Sequence, residues 1–200
     1  QRQMCIRDRA IVNLLTEKMI PQVLFLISSR FGHSEKIAHV LADHLQKQRP
    51  EIEVTYSSLE KDTTMIDLKN YDLVVFVASI RYGHFHRKLK EFVVKNQAAL
   101  KNRLSALCVV NLVARDPEKR TPESNSYTRR FLRTSPWQPD LCAVFAGNLH
   151  YARYRFWDKY LIGLIMKLTG GPTDLNTHIE YTDWAQVKDF ADKLLLNLRE

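Results

Sequence analysis

Residues 23–34 read Val23-Leu24-Phe25-Leu26-Ile27-Ser28-Ser29-Arg30-Phe31-Gly32-His33-Ser34, and this stretch decides the fold. Val23–Ile27 is a continuous apolar run, which predicts a strand buried on both faces. Behind it, Ile37, Val40, Leu41 and Leu45 recur at helical spacing with Glu35, Lys36, Asp43 and Lys47 between them, and Arg49-Pro50 closes the pattern. Strand, polar turn and amphipathic helix in that order open a βαβ unit. The turn is also a candidate anion cradle. Gly32 lets the backbone turn tightly, the helix start presents N–H groups and the positive end of its dipole, and Ser28, Ser29 and Ser34 offer hydroxyls. The plainer reading is a polar turn with a serine cap. The loop lacks both Gly-Lys-Ser/Thr and Gly-x-Gly-x-x-Gly, so a mononucleotide fits it better than a dinucleotide.

The alternation continues outward from this unit. Val54–Ser57 reads as a short strand at the sheet margin, and Leu73–Ala78, the most hydrophobic run, as a central strand. Leu89, Phe92, Val93 and Leu100 mark a helix, Leu107–Leu112 a buried strand, Tyr127–Leu132 an Arg-rich helix, and Leu141–Ala146 the last core strand. Asp183–Leu198 is the closing helix, with Asp183 and Gln186 spaced as in a capping box. Five strands alternating with helices predict an α/β, doubly wound, five-stranded parallel sheet. In such sheets ligands bind beyond the carboxyl ends of the strands, at the switch point. The loops that matter are therefore those after Ile27, Ala78 and Leu112.

Composition narrows the class. The chain has 200 residues, 45% hydrophobic and 26% charged, with a formal charge of +8. That is one domain with room for a core and no signature of disorder. No apolar stretch approaches the roughly 18 residues of a membrane span, which argues against an integral helical membrane protein. Cys5, Cys108 and Cys142 have no close pairing, which argues against a disulfide scaffold or a Cys-x-x-Cys zinc site. The bulk properties read as soluble and intracellular, and the basic excess implies an acidic partner: nucleic acid, anionic lipid or an anionic small molecule. Residues 1–18, with four basic and two acidic residues, read as an extension foreign to the fold, non-native or disordered, so +6 of the charge belongs to residues 19–200.

Two more regions carry candidate chemistry. Ser79-Ile80-Arg81-Tyr82-Gly83-His84-Phe85-His86 follows the central strand, and residues 81–90 hold four basic and no acidic residues. His84 and His86 alternate, but no third ligand accompanies them, so a metal is not expected. Asn111 ends the next strand. After Leu141–Ala146 the chain inserts residues at about 148–178 before the final helix. There Tyr151, Arg153, Tyr154, Arg155, Phe156 and Trp157 interleave aromatic and basic side chains. Then Trp157, Leu161, Leu164, Ile165 and Leu168 fall on one helical face. That mixture suits an interfacial helix on an anionic membrane surface, and equally a helix packed on its own domain or on a homo-oligomer partner.

These strings resemble a known family. Ser29-Arg30-Phe31-Gly32-His33-Ser34 is similar to the phosphate loop of the flavodoxin superfamily, Ser/Thr-x-Thr-Gly-x-Thr, with Phe31 in place of the central Thr and one hydroxyl donor fewer. Ala78-Ser79-Ile80-Arg81-Tyr82-Gly83-His84, Val110-Asn111-Leu112-Val113-Ala114-Arg115, Pro117–Pro122, Tyr151-x-Arg153-Tyr154-Arg155, Leu164–Gly171 and Tyr181-Thr182-Asp183-Trp184 resemble one branch of it. That branch is the quinone-dependent protoporphyrinogen IX dehydrogenases of Gram-negative bacteria, and the likeness covers about 19–200. The resemblance implies a flavodoxin-like fold with a late insertion, and an FMN enzyme of haem biosynthesis on the cytoplasmic face of the inner membrane. It would pass electrons from protoporphyrinogen IX to a membrane quinone. It assigns Ser29, Arg30, Phe31, Gly32, His33 and Ser34 to the FMN phosphate, and Ser79, Tyr82, Gly83 and Asn111 to the ring. Arg81, Arg153, Arg155 and Trp157 are expected at substrate propionates or lipid, and no residue stands out as a general base. The alternatives are a flavodoxin-type electron carrier or NAD(P)H:quinone reductase, which would work without membranes, and, last, a nucleic-acid binder with salt-dependent affinity. The basic residues gather at the loops rather than along a groove-reading helix, so no nucleic-acid partner is expected.

Overall fold

The computed structural model describes residues 20–61, 63, 66–150 and 178–198. Its strands are β1 (Gln22–Ser28), β2 (Glu53–Ser58), β3 (Leu73–Ser79), β4 (Leu104–Asn111) and β5 (Leu141–Ala146), all parallel, in the order β2-β1-β3-β4-β5. The order reverses beside β1, so the switch point lies between β1 and β3.

The apolar runs are continuous because both faces of the sheet are covered. Val23, Phe25 and Ile27 face α1 (His33–Gln48) and α4 (Trp184–Asn197), meeting Ile37, Leu41, Leu45, Val187, Phe190 and Leu194. Leu24, Leu26 and Phe76 point the other way. They join Leu89 and Phe92 of α2 (Arg87–Lys101), Phe131 of α3 (Ser126–Thr134) and Trp137. Trp137 is fully buried against Phe76, ring centroids 4.8 Å apart, and its Nε1 donates to Ser105 Oγ at 3.0 Å. Ser105 in turn donates from its backbone N and its Oγ to Asp140 Oδ2. This polar knot lets β4 begin at Leu104, earlier than its apolar run suggests, and the strand ends at Asn111, one residue short of the expected Leu112.

The expected capping box is half present. Asp183 accepts from the backbone N of Ala185 and Gln186, but the Gln186 side chain donates to Val144 O instead of returning to the cap. Two further strands were not expected. β6 (Asn148–His150) and β7 (His178–Glu180) form an antiparallel ladder that pairs His150 with His178 across the base of the insertion. Leu149 of this ladder is fully buried. The expectations for residues 1–18 and for the insertion's aromatic-basic stretch and helix, with Arg153, Arg155 and Trp157, lie outside the described residues.

Candidate functional site

The loop from β1 to α1 has the form its sequence predicts. Gly32 takes φ +82°, a left-handed value costly to any side chain, and no side chain caps the helix it starts. Ser34, in the first turn, is 1% exposed, and its Oγ is buried with no hydrogen-bond partner. A buried hydroxyl without a partner costs stability unless something supplies one. Ser29 is half-buried beside it and Arg30 is exposed. Phe31 lies under the Arg81 guanidinium, 4.4 Å from ring centroid to Cζ, with Arg30 at 5.8 Å.

His33 is turned toward the body of the protein. Its Nε2 meets Thr182 Oγ1 at 2.7 Å, and Thr182 Oγ1 donates to Ala146 O at 2.7 Å. The threonine has one hydrogen, already given to the carbonyl, so the imidazole Nε2 is the donor of the pair. One turn on, Lys36 Nζ pairs with Glu180 at 2.9 Å and lies 4.6 Å from the Trp184 ring, whose Nε1 donates to Glu180 at 2.6 Å. Partial burial pushes the Glu180 carboxyl up, but the hydrogen bonds from Lys36 and Trp184, aided by the charges of Lys36 and His33, outweigh it and hold the group below its ordinary value. The helix that starts the cradle is thus tied to the strand that ends the insertion.

At the end of β3, Ser79 Oγ donates to Ser28 O at 3.3 Å and bridges the two strands of the switch point. Next comes a two-residue turn. Arg81 and His84 exchange backbone hydrogen bonds at 2.9 Å each way, and Tyr82 and Gly83 between them take φ +48° and +78°. Positive φ at both central positions is the type I′ hairpin geometry. It raises Tyr82 to the tip, where the residue is 53% exposed. The positive φ favours glycine at Gly83, and a Cβ there would also sit tightly against the Tyr127 ring, 3.1 Å from Cε1. Phe85 then packs on Phe131, and His86 Nδ1 caps α2 by accepting from Lys88 N.

Asn111 closes the site from β4. It is 5% exposed; its Oδ1 accepts from Ala114 N at 3.0 Å and Asn125 Nδ2 at 3.4 Å, while its Nδ2 is buried with no partner. Asn125 and Thr128 are the contributors that sequence reasoning missed. Asn125 donates to Lys119 O, caps α3 and accepts from the Thr128 hydroxyl, so it folds the 111–125 loop back onto Asn111. An Asn just before a helical run is an N-cap signal, and it was available in the sequence. Gly147 N donates to Asn111 O and Gly147 O accepts from Tyr181 N, so the insertion leaves and rejoins the domain beside this residue.

The three loops are thus brought together at the carboxyl edge of β1, β3 and β4, as expected. They present neutral donors, one exposed aromatic ring and several guanidiniums. Among the described residues no group of three or more His, Cys, Asp or Glu is placed to hold a metal ion. Burial pushes the Cys142 thiol up to about 12 and Cys108 upward as well, so neither supplies a thiolate at neutral pH. Among the described residues no helix is long and apolar enough to cross a membrane.

Comparison with known proteins gives the family and the fold. The flavodoxin domain family matches residues 24–176. Protoporphyrinogen IX dehydrogenase (quinone) of Escherichia coli strain K12 is 47% identical over 173 residues, covering 86% of this chain and 94% of that protein. The protein of the same name from Leishmania major is 42% identical over 175 residues, covering 86% of this chain and 73% of that one. Among solved structures, a short-chain flavodoxin associated with a non-canonical PDU bacterial microcompartment matches 90% of this chain and 99% of its own with a TM-score of 0.51 at 11% identity. Oxidised flavodoxin 1 from Bacillus cereus matches 89% and 99% with a TM-score of 0.50 at 12% identity. At such identities the two structures speak to the fold alone.

Proposed function

This chain belongs to the flavodoxin family, in the branch of the quinone-dependent protoporphyrinogen IX dehydrogenases, and from that premise we propose that it oxidises protoporphyrinogen IX to protoporphyrin IX with bound FMN and a membrane quinone as acceptor. The observation that carries the cofactor is a pair of buried donors without partners. Ser34 Oγ lies just after β1 and Asn111 Nδ2 at the end of β4, on either side of the turn that lifts Tyr82. A group with phosphate oxygens at one end and ring carbonyls at the other satisfies both, and the Tyr82 ring suits a flat aromatic face. When bound, FMN would supply the two-electron redox chemistry that links the substrate to the quinone.

The chain's own residues bind and orient. Gly32 and Ser34, with Ser29, hold the phosphate; Gly83 allows the backbone close to the ring; Asn111 donates to its edge. The substrate's propionates suit the guanidiniums of the basic loops, and its apolar body suits Tyr82. The insertion starts and ends beside Asn111. Its aromatic and basic residues, including Arg153, Arg155 and Trp157, are assigned to an anionic membrane surface, where the quinone lives. That makes the protein peripheral on the cytoplasmic face.

The test uses the full chain. Purified protein should be yellow or take up FMN stoichiometrically, and with a short-chain quinone under anaerobic conditions it should turn protoporphyrinogen IX into fluorescent protoporphyrin. A colourless protein that takes up no FMN overturns the cofactor. A yellow one that oxidises no porphyrinogen with any quinone overturns the substrate.

A further inference from the structure

Phe31 removes a hydroxyl from the cradle, and its ring does something else there. It lies beneath the Arg81 guanidinium at 4.4 Å, a cation–π distance, with the Arg30 guanidinium at 5.8 Å. Both Phe31 and Arg81 are half-buried, and Arg81 Nη1 is closed off from solvent, so the contact is partly desolvated. The two residues come from different loops, one after β1 and one after β3. Arg81 is also the first residue of the turn that sets Tyr82, fixed through its own N–H and C=O to His84.

We propose that Phe31 is a platform that stations Arg81 over the cradle. The phosphate end of the ligand is then selected by a fixed positive charge as well as by hydroxyl and backbone donors. The proposal rests on the flavin reading above and adds to it a specificity determinant: the Phe31–Arg81 pair discriminates FMN from the same flavin without its phosphate. Phe31 immediately precedes Gly32 in the cradle, so a guanidinium held on its ring is carried by the cradle loop itself and attracts a dianion there through a medium less screening than water. It does nothing for an uncharged ribityl hydroxyl. The aromatic face is what holds the charge in place, since a flat π surface suits a planar guanidinium and an aliphatic side chain does not.

The experiment measures dissociation constants of FMN and riboflavin, by flavin fluorescence quenching, for the apoprotein and its variants at two salt concentrations. Arg81→Gln should lower the FMN-to-riboflavin preference about tenfold. Phe31→Leu should lower it about fivefold, and Phe31→Tyr, which keeps the ring face, should retain it. In the double variant Phe31→Leu/Arg81→Gln the preference should equal that of Arg81→Gln alone, because the platform acts only through the charge. Near-UV circular dichroism shows that each variant is folded, and Arg81→Gln with Phe31→Tyr still decides the matter should Phe31→Leu not fold. An unchanged preference in Arg81→Gln, a loss in Phe31→Tyr as large as in Arg81→Gln, or effects of Phe31→Leu and Arg81→Gln that multiply in the double variant would each overturn the platform. If the wild type binds neither flavin, the flavin reading itself fails. If it binds both and the preference ignores these side chains, only the platform does.

Discussion

At Asn111 the two ends of one carboxamide have separate tasks. Oδ1 is engaged by Ala114 N and Asn125 Nδ2 and so fixes the 111–125 loop; this also settles which end is nitrogen. Nδ2 is left buried and unpaired, the state expected of a donor kept for a ligand. Asn111→Asp separates the two tasks, because a carboxylate still accepts from Ala114 and Asn125 but presents an acceptor where the donor was. We expect FMN affinity to fall at least about tenfold at pH 8, by the cost of facing acceptor with acceptor. Affinity should recover as the pH is lowered and the aspartic acid regains a donating hydrogen, while wild-type affinity stays flat. Fluorescence titration of FMN at several pH values reads this directly. Equal affinity of the two proteins at pH 8 would remove Asn111 from the ring site.

At the scale of elements, α1 serves two partners. Its first residues form the cradle, and its next turn grips the insertion's closing strand through Lys36, Glu180 and Trp184. The Glu180 carboxyl is held below its ordinary 4.5, so its charged form is the one favoured in the folded protein. For a depressed carboxylate the stabilisation is present above the unfolded value and is lost as pH falls through the folded one. The grip should therefore persist at neutral pH and loosen below about pH 4.5. Tryptophan fluorescence should show a transition in that acid range that Glu180→Gln lacks; the same acid transition in the variant would assign it elsewhere. The sequence shows why some elements were legible and others not. β1, β3, β4 and β5 announce themselves because double-sided burial leaves their centres apolar, whereas the edge strand β2, with Thr55 and Tyr56 exposed and Ser57 half-buried, shows only faintly. β4's first residues were missed because Ser105 looks like a break until Asp140 and Trp137 satisfy it. β6 and β7 have three residues each, too few for a period to show. The cradle was readable as a local motif. The Phe31–Arg81 and His33–Thr182 contacts join residues far apart in sequence, and no local pattern encodes them.

At the scale of the whole molecule, the described residues form one sheet domain in which the β6–β7 ladder brackets residues 151–177. The loop at 81–90 and the Arg-rich stretch from α3 into the insertion carry much of the charge of +8. Leu149 is fully buried and the ladder registers Asn148 with Glu180, Leu149 with Ile179 and His150 with His178, so the base is part of the core. Facing antiparallel residues are what a two-residue type I′ turn joins, and Asn-Gly is its preferred sequence. Replacing residues 151–177 by Asn-Gly should therefore convert β6 and β7 into a closed hairpin and leave the sheet, the cradle and the Tyr82–Gly83 turn intact. The shortened protein should unfold within a few degrees of the wild type and bind FMN with similar affinity. It should also lose salt-sensitive binding to vesicles containing anionic phospholipid, and with it turnover of quinone embedded in those vesicles. A short-chain soluble quinone separates the two roles proposed for the insertion. If turnover with that acceptor survives, the segment serves docking; if it is lost as well, the segment also forms part of the substrate site. Undiminished vesicle binding by the shortened protein would instead place the membrane contact on the domain itself, where Arg87, Lys88 and Lys90 of α2 and Arg129, Arg130 and Arg133 of α3 are exposed.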